Sequence, residues 1–313
     1  MLIDLVQLRT FAAVAEEQHL TRASERLHIS QSAASSHVRA VEETLDTQLF
    51  LRSKRGLELT PAGQLLLGRA KTLLNGAARF TSLARELKGK IEGTLVVGAG
   101  TEPSNSFIGE VVAALRDKHQ LVSVDLRARP SAGTRQSLEL GEIDIGLLLG
   151  RPFDPGFTYF KVSTVRFRVA GPVAWKEQIE RADWTALAAL PWIAPTDSSL
   201  AYSTMLSNLF GDRGLELNSM VRFDNAALGR AAVQAGVGLM LMREEHALSG
   251  RQEGTLAVSL LAHIEFDLLL AHLTSRAADP LIRAFIEAMK EVAPIVQVMP
   301  SHLTSPEAPT ASC

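Results

Sequence analysis

The sequence predicts a chain of α/β class preceded by an all-α N-terminal part, with one long helix between the two. Three observations carry this reading. Apolar residues in roughly the first sixty positions recur at helical spacing. Large apolar residues and alanines then repeat every seven positions between 66 and 87, and after Gly93 β-rich runs alternate with helical stretches. The length of 313 residues suits two or three domains, each large enough to bury its own core.

The first helix follows from Leu5, with Leu8, Phe11, Ala12 and Ala15 on one face. After the polar pair Gln18 and His19, Thr21 predicts the N-cap of a second helix through Leu27, with Ala23 and Leu27 facing inward. A break at His28 and Ile29 leads to Ser30, the N-cap of a third helix to about Leu45, with Ala34, Val38, Val41 and Leu45 inward. The opposite face presents Gln31, Ser32, Ser35, Ser36 and Arg39. Two helices about three residues apart, the second with a small polar outer face, describe a helix-turn-helix. Such side chains can enter a major groove about 12 Å wide and pair with base edges and phosphates. A solvated, serine-rich face on a generic three-helix bundle is the alternative.

The basic cluster Arg52, Ser53, Lys54, Arg55 precedes a short strand-like run, Leu57–Thr60. Beside the third helix it reads as a wing loop placed to contact phosphate; elsewhere it would be a solvated turn. Net charge hides such features. The total is −2, but residues 1–92 hold 13 Lys and Arg against 10 Asp and Glu, and the remainder 19 against 24.

Pro61 can open a helix, and no proline follows until Pro103. Leu66, Leu73, Phe80 and Leu87 recur every seven residues, as do Ala70, Ala77 and Ala84. With alanines at the a positions and the large residues at d, this is a seam on which two helices could approach closely and dimerise. A helix packed on its own domain is the alternative. The segment 63–92 carries six basic and two acidic residues, suitable for a neighbour of DNA.

Beyond Gly93, strands are expected at Thr94–Gly98, Val122–Ala128, Ile143–Leu149, Phe157–Val162, Arg166–Ala170, Met220–Phe223, Gly238–Met242 and Ile264–Leu270. Helices are expected at about Phe107–Arg116 and at Leu281–Val292. The alternation argues for mainly parallel sheets, and the Pro/Ser/Thr/Ala-rich tail from Pro300 for disorder.

Several classes are argued against. The single cysteine, Cys313, allows no intramolecular disulfide, and no apolar run approaches the roughly 18 residues of a membrane span. The N-terminal residues lack the order of a secretion signal, so a soluble, cytoplasmic protein without membrane association is expected. No GxxxxGK[ST], GxSxG or HExxH occurs, Pro103 interrupts the glycine run at 98–100, and the histidines are dispersed. No catalytic residues, metal site or cofactor is therefore expected, and the chain is read as not an enzyme.

The text of residues 8–67 resembles the N-terminal winged helix-turn-helix of LysR-type transcriptional regulators. The matching pieces are Phe11 and Ala15, Thr21-Arg22-Ala23, Glu25-Arg26-Leu27, Ser30-Gln31, Leu49-Phe50, Arg52 and Thr60-Pro61-Ala62-Gly63. The resemblance implies that Ser30 to Arg39 form the base-facing part of a recognition helix and that the long helix is a dimer linker. Two departures stand out: Gln18 and Asp46 replace glycines usual in the family at helix ends, and Ser36 replaces a longer polar or basic side chain.

More loosely, GTLVVGAG, LELGEIDIGLLL and AAVQAGVGLMLMRE resemble the effector-binding domain of that family, which implies a two-lobed, periplasmic-binding-protein-like architecture. The implied division is a winged helix-turn-helix at 1–62, a linker helix at 63–92 and an effector-binding domain at 93–300. Within the last, lobe I covers about 93–164 and 268–300, lobe II about 165–267, and 301–313 form the tail. Ligands of such sheets bind beyond the carboxyl ends of strands. The candidates there are Thr101, Glu102, Ser104, Ser131, Thr134, Ser198, Ser199 and Asn225. Many hydroxyls at helix starts suit a small anion such as a carboxylate. The expected partners are double-stranded DNA, a small-molecule effector, a second copy of the chain (a homodimer, with a homotetramer expected) and RNA polymerase. A solute-binding protein and an enzyme working in the cleft are the rival readings.

Overall fold

The computed structural model describes residues 3–53, 56–86, 91–100, 106–129, 131–152, 154–196 and 201–298. The chain divides into two compact units, one of residues 1–93 with 137–143, the other of residues 94–136 and 144–313.

The first unit begins with α1 (Leu5–Glu17), α2 (Leu20–Leu27) and α3 (Gln31–Leu45). A hairpin of β1 (Phe50–Ser53) and β2 (Gly56–Leu59) follows, then α4 (Pro61–Glu86). Leu8, Phe11, Val14, Ala23, Val38, Val41, Leu49 and Phe50 form its core, and the rings of Phe11 and Phe50 meet edge-on at 5.7 Å. The cap of α2 differs from the expectation. Asp4 and Ser30 cap α1 and α3, but α2 starts one residue before Thr21, and His19 Nδ1 accepts the Thr21 amide. Arg52 and Ser53 also depart from the loop reading, since their backbone pairs in β1 with Leu57 and Gly56; Lys54 and Arg55 lie outside the described residues.

The ends of α1, α2 and α3 all fall on non-glycine residues in the left-handed region: Gln18 (φ 52°), His28 (φ 55°) and Asp46 (φ 47°). At His28 and Asp46 the following amide bonds back five residues, Ile29 to Ser24 and Thr47 to Glu42, which closes the helix C-terminus. The departures from glycine at Gln18 and Asp46 therefore change the residue and keep the backbone.

The Thr60-Pro61-Ala62-Gly63 run has a physical explanation. Thr60 Oγ1 accepts the Gly63 amide at 2.9 Å and donates to the Gln48 carbonyl, which fixes the start of α4 against the hairpin. Pro61 occupies the first helical position, where a missing N–H costs nothing. A Cβ on Gly63 would sit 2.3 Å from the Leu49 carbonyl oxygen, so a side chain is sterically barred there.

The second unit starts with β3 (Gly93–Ala99), α5 (Ile108–Lys118), β4 (Val122–Ala128), α6 (Ser131–Glu139) and β5 (Ile145–Leu149). Then come β6 (Phe157–Pro172), α7 (Lys176–Arg181), α8 (Trp184–Ala189), β7 (Pro191–Pro195), α9 (Ala201–Phe210) and β8 (Asn218–Phe223). It ends with α10 (Ala226–Gln234), β9 (Met240–Arg243), α11 (Glu244–Gln252), β10 (Leu256–Leu273), α12 (Pro280–Val292) and β11 (Val296–Val298). The runs expected as separate strands at Phe157–Val162 and Arg166–Ala170 are one 16-residue strand, β6, and Ile264–Leu270 lies within the 18-residue β10.

These two strands pair antiparallel along most of their length and run through both lobes. At one end β10 continues to β5, β3 and β4, with α5 packed on α12; at the other β6 pairs with β9, beside the parallel pair of β7 and β8. Mainly parallel pairing is thus corrected. Parallel ladders join β3 to β5 and β7 to β8, whereas every ladder made by β6 and β10 is antiparallel. The tail from Pro300 lies outside the described residues.

Candidate nucleic-acid interface and effector cleft

The exposed face of α3 is set by what its other face buries. Ala34, Val38 and Val41 are sunk in the core of the first unit, which leaves Gln31, Ser32, Ser36 and Arg39 exposed and Ser35 half-buried. Ser30 Oγ accepts the Ala33 amide at 3.1 Å and lies 3.0 Å from Ser32 Oγ, so Ser30 acts as a cap beside the polar face. Two further links fix α3. His37 Nδ1 and Thr10 Oγ1 are 2.9 Å apart, tying it to α1, and Glu42 Oε1 accepts the amides of Leu49 and Phe50, tying it to the hairpin. On α2, Thr21 is half-buried and Arg22 is exposed.

An ion cluster holds α2 in place. Arg26 bonds Glu16 at 2.7 Å and Glu17 at 3.2 Å, and Lys71 of α4 reaches Glu16 at 3.0 Å. Partial burial alone would raise the Glu16 carboxyl, but hydrogen bonds and charge from Arg26 and Lys71 outweigh it and hold it below the ordinary value. The hydrogen bond to Glu16 in turn raises Arg26.

The heptad seam on α4 is divided between two uses. Ala70 is buried in the unit's own core and Leu66 packs against it, so these two serve the first unit, which corrects their expected place on a dimer seam. Leu73 and Phe80 face solvent at 57% and 76% exposure, and Ala77 is half-buried. Nothing is described of the Ala84 side chain, and Leu87 lies outside the described residues.

In the second unit a cleft of about 590 Å³ opens between the ends of β5 and α9, lined by Ser131, Arg135, Leu149, Arg151, Thr204 and Asn208 among others. A recess of about 40 Å³ shares Ser131, Leu148 and Leu149 with it, and adds Gly100, Ser106 and Arg243. Ser131 Oγ accepts the Leu149 amide at 3.0 Å, coupling the start of α6 to the end of β5. Among the described residues lining cleft and recess, the charged ones are Arg135, Arg151 and Arg243. Arg135 pairs with Asp154 at 2.6 Å.

Of the effector candidates, Ser131 lies in the cleft. Thr134 is fully buried in α6, away from the cleft lining, and Asn225 accepts the Ala227 amide as the N-cap of α10. Asn225 thus caps its helix, as a hydroxyl or amide at a helix start commonly does. Thr101, Glu102, Ser104, Ser198 and Ser199 lie outside the described residues. Sequence reading missed Arg135, Arg151, Thr204, Asn208 and Arg243. One signal was present for Arg243, an arginine closing the apolar run Leu239–Met242 at a strand's carboxyl end.

Family models match both parts of the chain. One, described as LysR substrate binding domain, matches residues 88–294; the other, bacterial regulatory helix-turn-helix protein, lysR family, matches residues 5–64. This chain belongs to the LysR family. The HTH-type transcriptional regulator AlsR of Bacillus subtilis is 33% identical over 146 residues, 47% of this LysR-family chain. That stretch spans about half the length of AlsR, 48%. A second relative from the same organism, the uncharacterized HTH-type transcriptional regulator YvbU, is 25% identical over 295 residues, 93% of this chain and 99% of YvbU. The crystal structure of full-length CbnR complexed with its target DNA has the same fold, with a TM-score of 0.66 and 21% identity over 93% of this chain and 100% of that one. No helix among the described residues is long and apolar enough to cross a membrane.

Proposed function

We propose that this LysR-family chain is a sequence-specific DNA-binding transcriptional regulator whose DNA binding is modulated by a small carboxylate effector in the cleft of its second unit. The observation that carries the reading is the polar face of α3. Gln31, Ser32, Ser36 and Arg39 stand exposed on a helix whose other face is locked into a buried core. Gln31, Ser32, Ser35, Ser36 and Arg39 read bases or adjoining phosphates, Thr21, Arg22 and Ser30 meet backbone beside them, and Arg52, Lys54 and Arg55 track phosphate from the hairpin. The wide exposure of Leu73 and Phe80 supports a dimer through α4, with Ala77, Ala84 and Leu87 on the same seam. A two-fold pair presents two recognition helices to two half-sites.

The domain reading that goes with this places the winged helix-turn-helix at 1–62, the linker at 63–92 and the effector-binding domain at 93–300. The protein works in the cytoplasm as a homodimer or homotetramer, is not an enzyme, and acts on transcription through RNA polymerase. Thr101, Glu102, Ser104, Ser198 and Ser199 join Ser131 as effector contacts. Effector binding shifts lobe closure and thereby the spacing of recognition helices; a coupling of about 1–3 kcal/mol changes DNA affinity roughly 5- to 150-fold.

The test is a salt titration of the purified protein on DNA flanking its own gene, with Arg39→Ala beside it. Tight, sequence-selective binding that the substitution weakens is expected, together with a log–log salt slope shallower by about 0.9 for each phosphate the protein no longer neutralises. Absence of binding at low salt by the folded protein would overturn the reading.

A further inference from the structure

Arg243 is the last residue of β9 and one of the most buried charges described, at 5% exposure. The three residues before it, Met240, Leu241 and Met242, are apolar and buried, as the interior of this sheet requires. A guanidinium in that setting is expensive, because desolvating a charge is unfavourable unless good partners replace the water. Its neighbours hold it in place. It pairs in register with Phe167 of β6, and its guanidinium carbon stands 6.0 Å from that ring. The Glu245 carboxylate is 3.5 Å from Nη1, and its buried Oε1 makes no hydrogen bond to any described residue.

What Arg243 lines is the small recess adjoining the cleft, whose lining also includes Gly100, Ser106 and Ser131. That recess measures about 40 Å³, more than the roughly 10–15 Å³ of such space that one water needs, so it has room for a small polar group such as a carboxylate. The wider cleft beyond it is walled by Leu148, Leu149 and Phe266, with Arg151 exposed at its mouth. Burial is the first cause lowering the pKa values of Arg230 and His246; the charge of Arg243 adds to it at both, and at His246 Glu245 acts in the opposite sense.

We infer that Arg243 is the charge anchor of the effector cleft: it receives the carboxylate of a small organic acid in the recess shared with Ser106 and Ser131, while the acid's apolar body lies along Leu148, Leu149 and Phe266. This rests on the reading of the cleft as an effector site and names the chemistry that site selects. The planar fork of an arginine matches a carboxylate with two parallel hydrogen bonds, and a neutral amide of the same shape cannot supply the second acceptor oxygen or the charge.

Butanoate and hexanoate, with butanamide and hexanamide as neutral isosteres, are the probes, titrated into the full chain by calorimetry and thermal denaturation. Both acids should bind and raise the melting temperature, at least about tenfold more tightly than their amides. Arg243→Gln, checked for folding by circular dichroism, should weaken acid binding about 10- to 100-fold and erase the preference over the amides. Thr204→Trp, which fills the outer cleft, should block acids and amides alike. Acids that bind folded R243Q as tightly as the parent protein would overturn the inference, while sensitivity to T204W alone would leave the cleft reading standing. Acid binding untouched by both substitutions would remove the cleft reading too. Should R243Q not fold, the acid-to-amide ratio of the parent protein decides: a ratio near one, or no binding by either acid at millimolar concentration, overturns the anchor.

Discussion

Gln18→Gly should stabilise the first unit, and by more than the same change at either of the other two helix ends. Gln18 sits at φ 52°, ψ 18°, where an L side chain crowds the carbonyl that follows, at a cost of about 1–2 kcal/mol. Glycine removes that cost but gains more freedom in the unfolded chain, worth about 0.5–1 kcal/mol in the opposite sense. The native interactions at Gln18 belong to its backbone: its amide donates to Val14 at 2.9 Å and its carbonyl accepts the Leu57 amide at 3.0 Å. Its side chain is exposed and makes no hydrogen bond to any described residue, so truncation removes no interaction there. The net gain is about 0.5–1 kcal/mol. His28 and Asp46 occupy the same region of φ, but histidine and aspartate tolerate it better, so His28→Gly and Asp46→Gly should gain roughly half as much or less. The reverse change marks the opposite case. Gly56 has φ 131°, and a Cβ there would lie 2.6 Å from the Gln18 carbonyl oxygen, so Gly56→Ala should cost more than about 1 kcal/mol.

The assay must isolate the first unit, because Trp175, Trp184 and Trp192 all belong to the second and tryptophan fluorescence would report only that one. Amide hydrogen exchange of α1–α3, resolved by mass spectrometry, reads the right segment. Unchanged or faster exchange in Q18G, or an Asp46→Gly gain equal to that of Q18G, would refute the assignment of strain to these helix ends.

Two further outcomes are expected. Arg276 is 6% exposed at its side chain and bridges Asp144 at 2.6 Å and Asp279 at 2.7 Å, while those carboxylates also receive the amides of Val96 and Leu281. Removing the cation leaves two poorly solvated charges, so Arg276→Met should destabilise the second unit by about 3–5 kcal/mol in denaturant titration followed by tryptophan fluorescence, and a loss below about 1 kcal/mol would contradict this. Glu16, whose pKa is lowered in the folded state, stabilises the first unit above the ordinary carboxyl value of 4.5, and that contribution is lost as pH falls through its lowered folded value. The stability gap between the parent chain and Glu16→Gln should therefore be full at neutral pH and close on acidification; a gap that is constant with pH would refute it.

The elements whose signals are local were legible in the sequence. Helices α1 and α3 announce themselves by apolar spacing and by Ser30 as a cap, and β4 matches its expected range of Val122–Ala128, because each depends on residues within a turn or two. The polar face of α3 was readable for the same reason: once the buried stripe is known, the exposed residues follow. Register and partnership were not. Whether Phe157–Pro172 is one strand or two depends on β10, a hundred residues away, whose ladder carries the chain through the polar stretch around Ser163 and Thr164. The heptad on α4 could not say who covers it, since a period is the same whether the neighbour is a second chain or, as for Leu66 and Ala70, the unit's own core. The cleft shows this most plainly. Ser131 lines a cleft with Arg151 and a recess with Arg243, residues remote from it in sequence, because strand ends converge, whereas Asn225, which looked alike in sequence, caps the helix it begins and Thr134 is buried within α6. Sequence determined which segments could bury a face; tertiary structure decided what each face meets, because burial depends on contacts between residues remote in the chain.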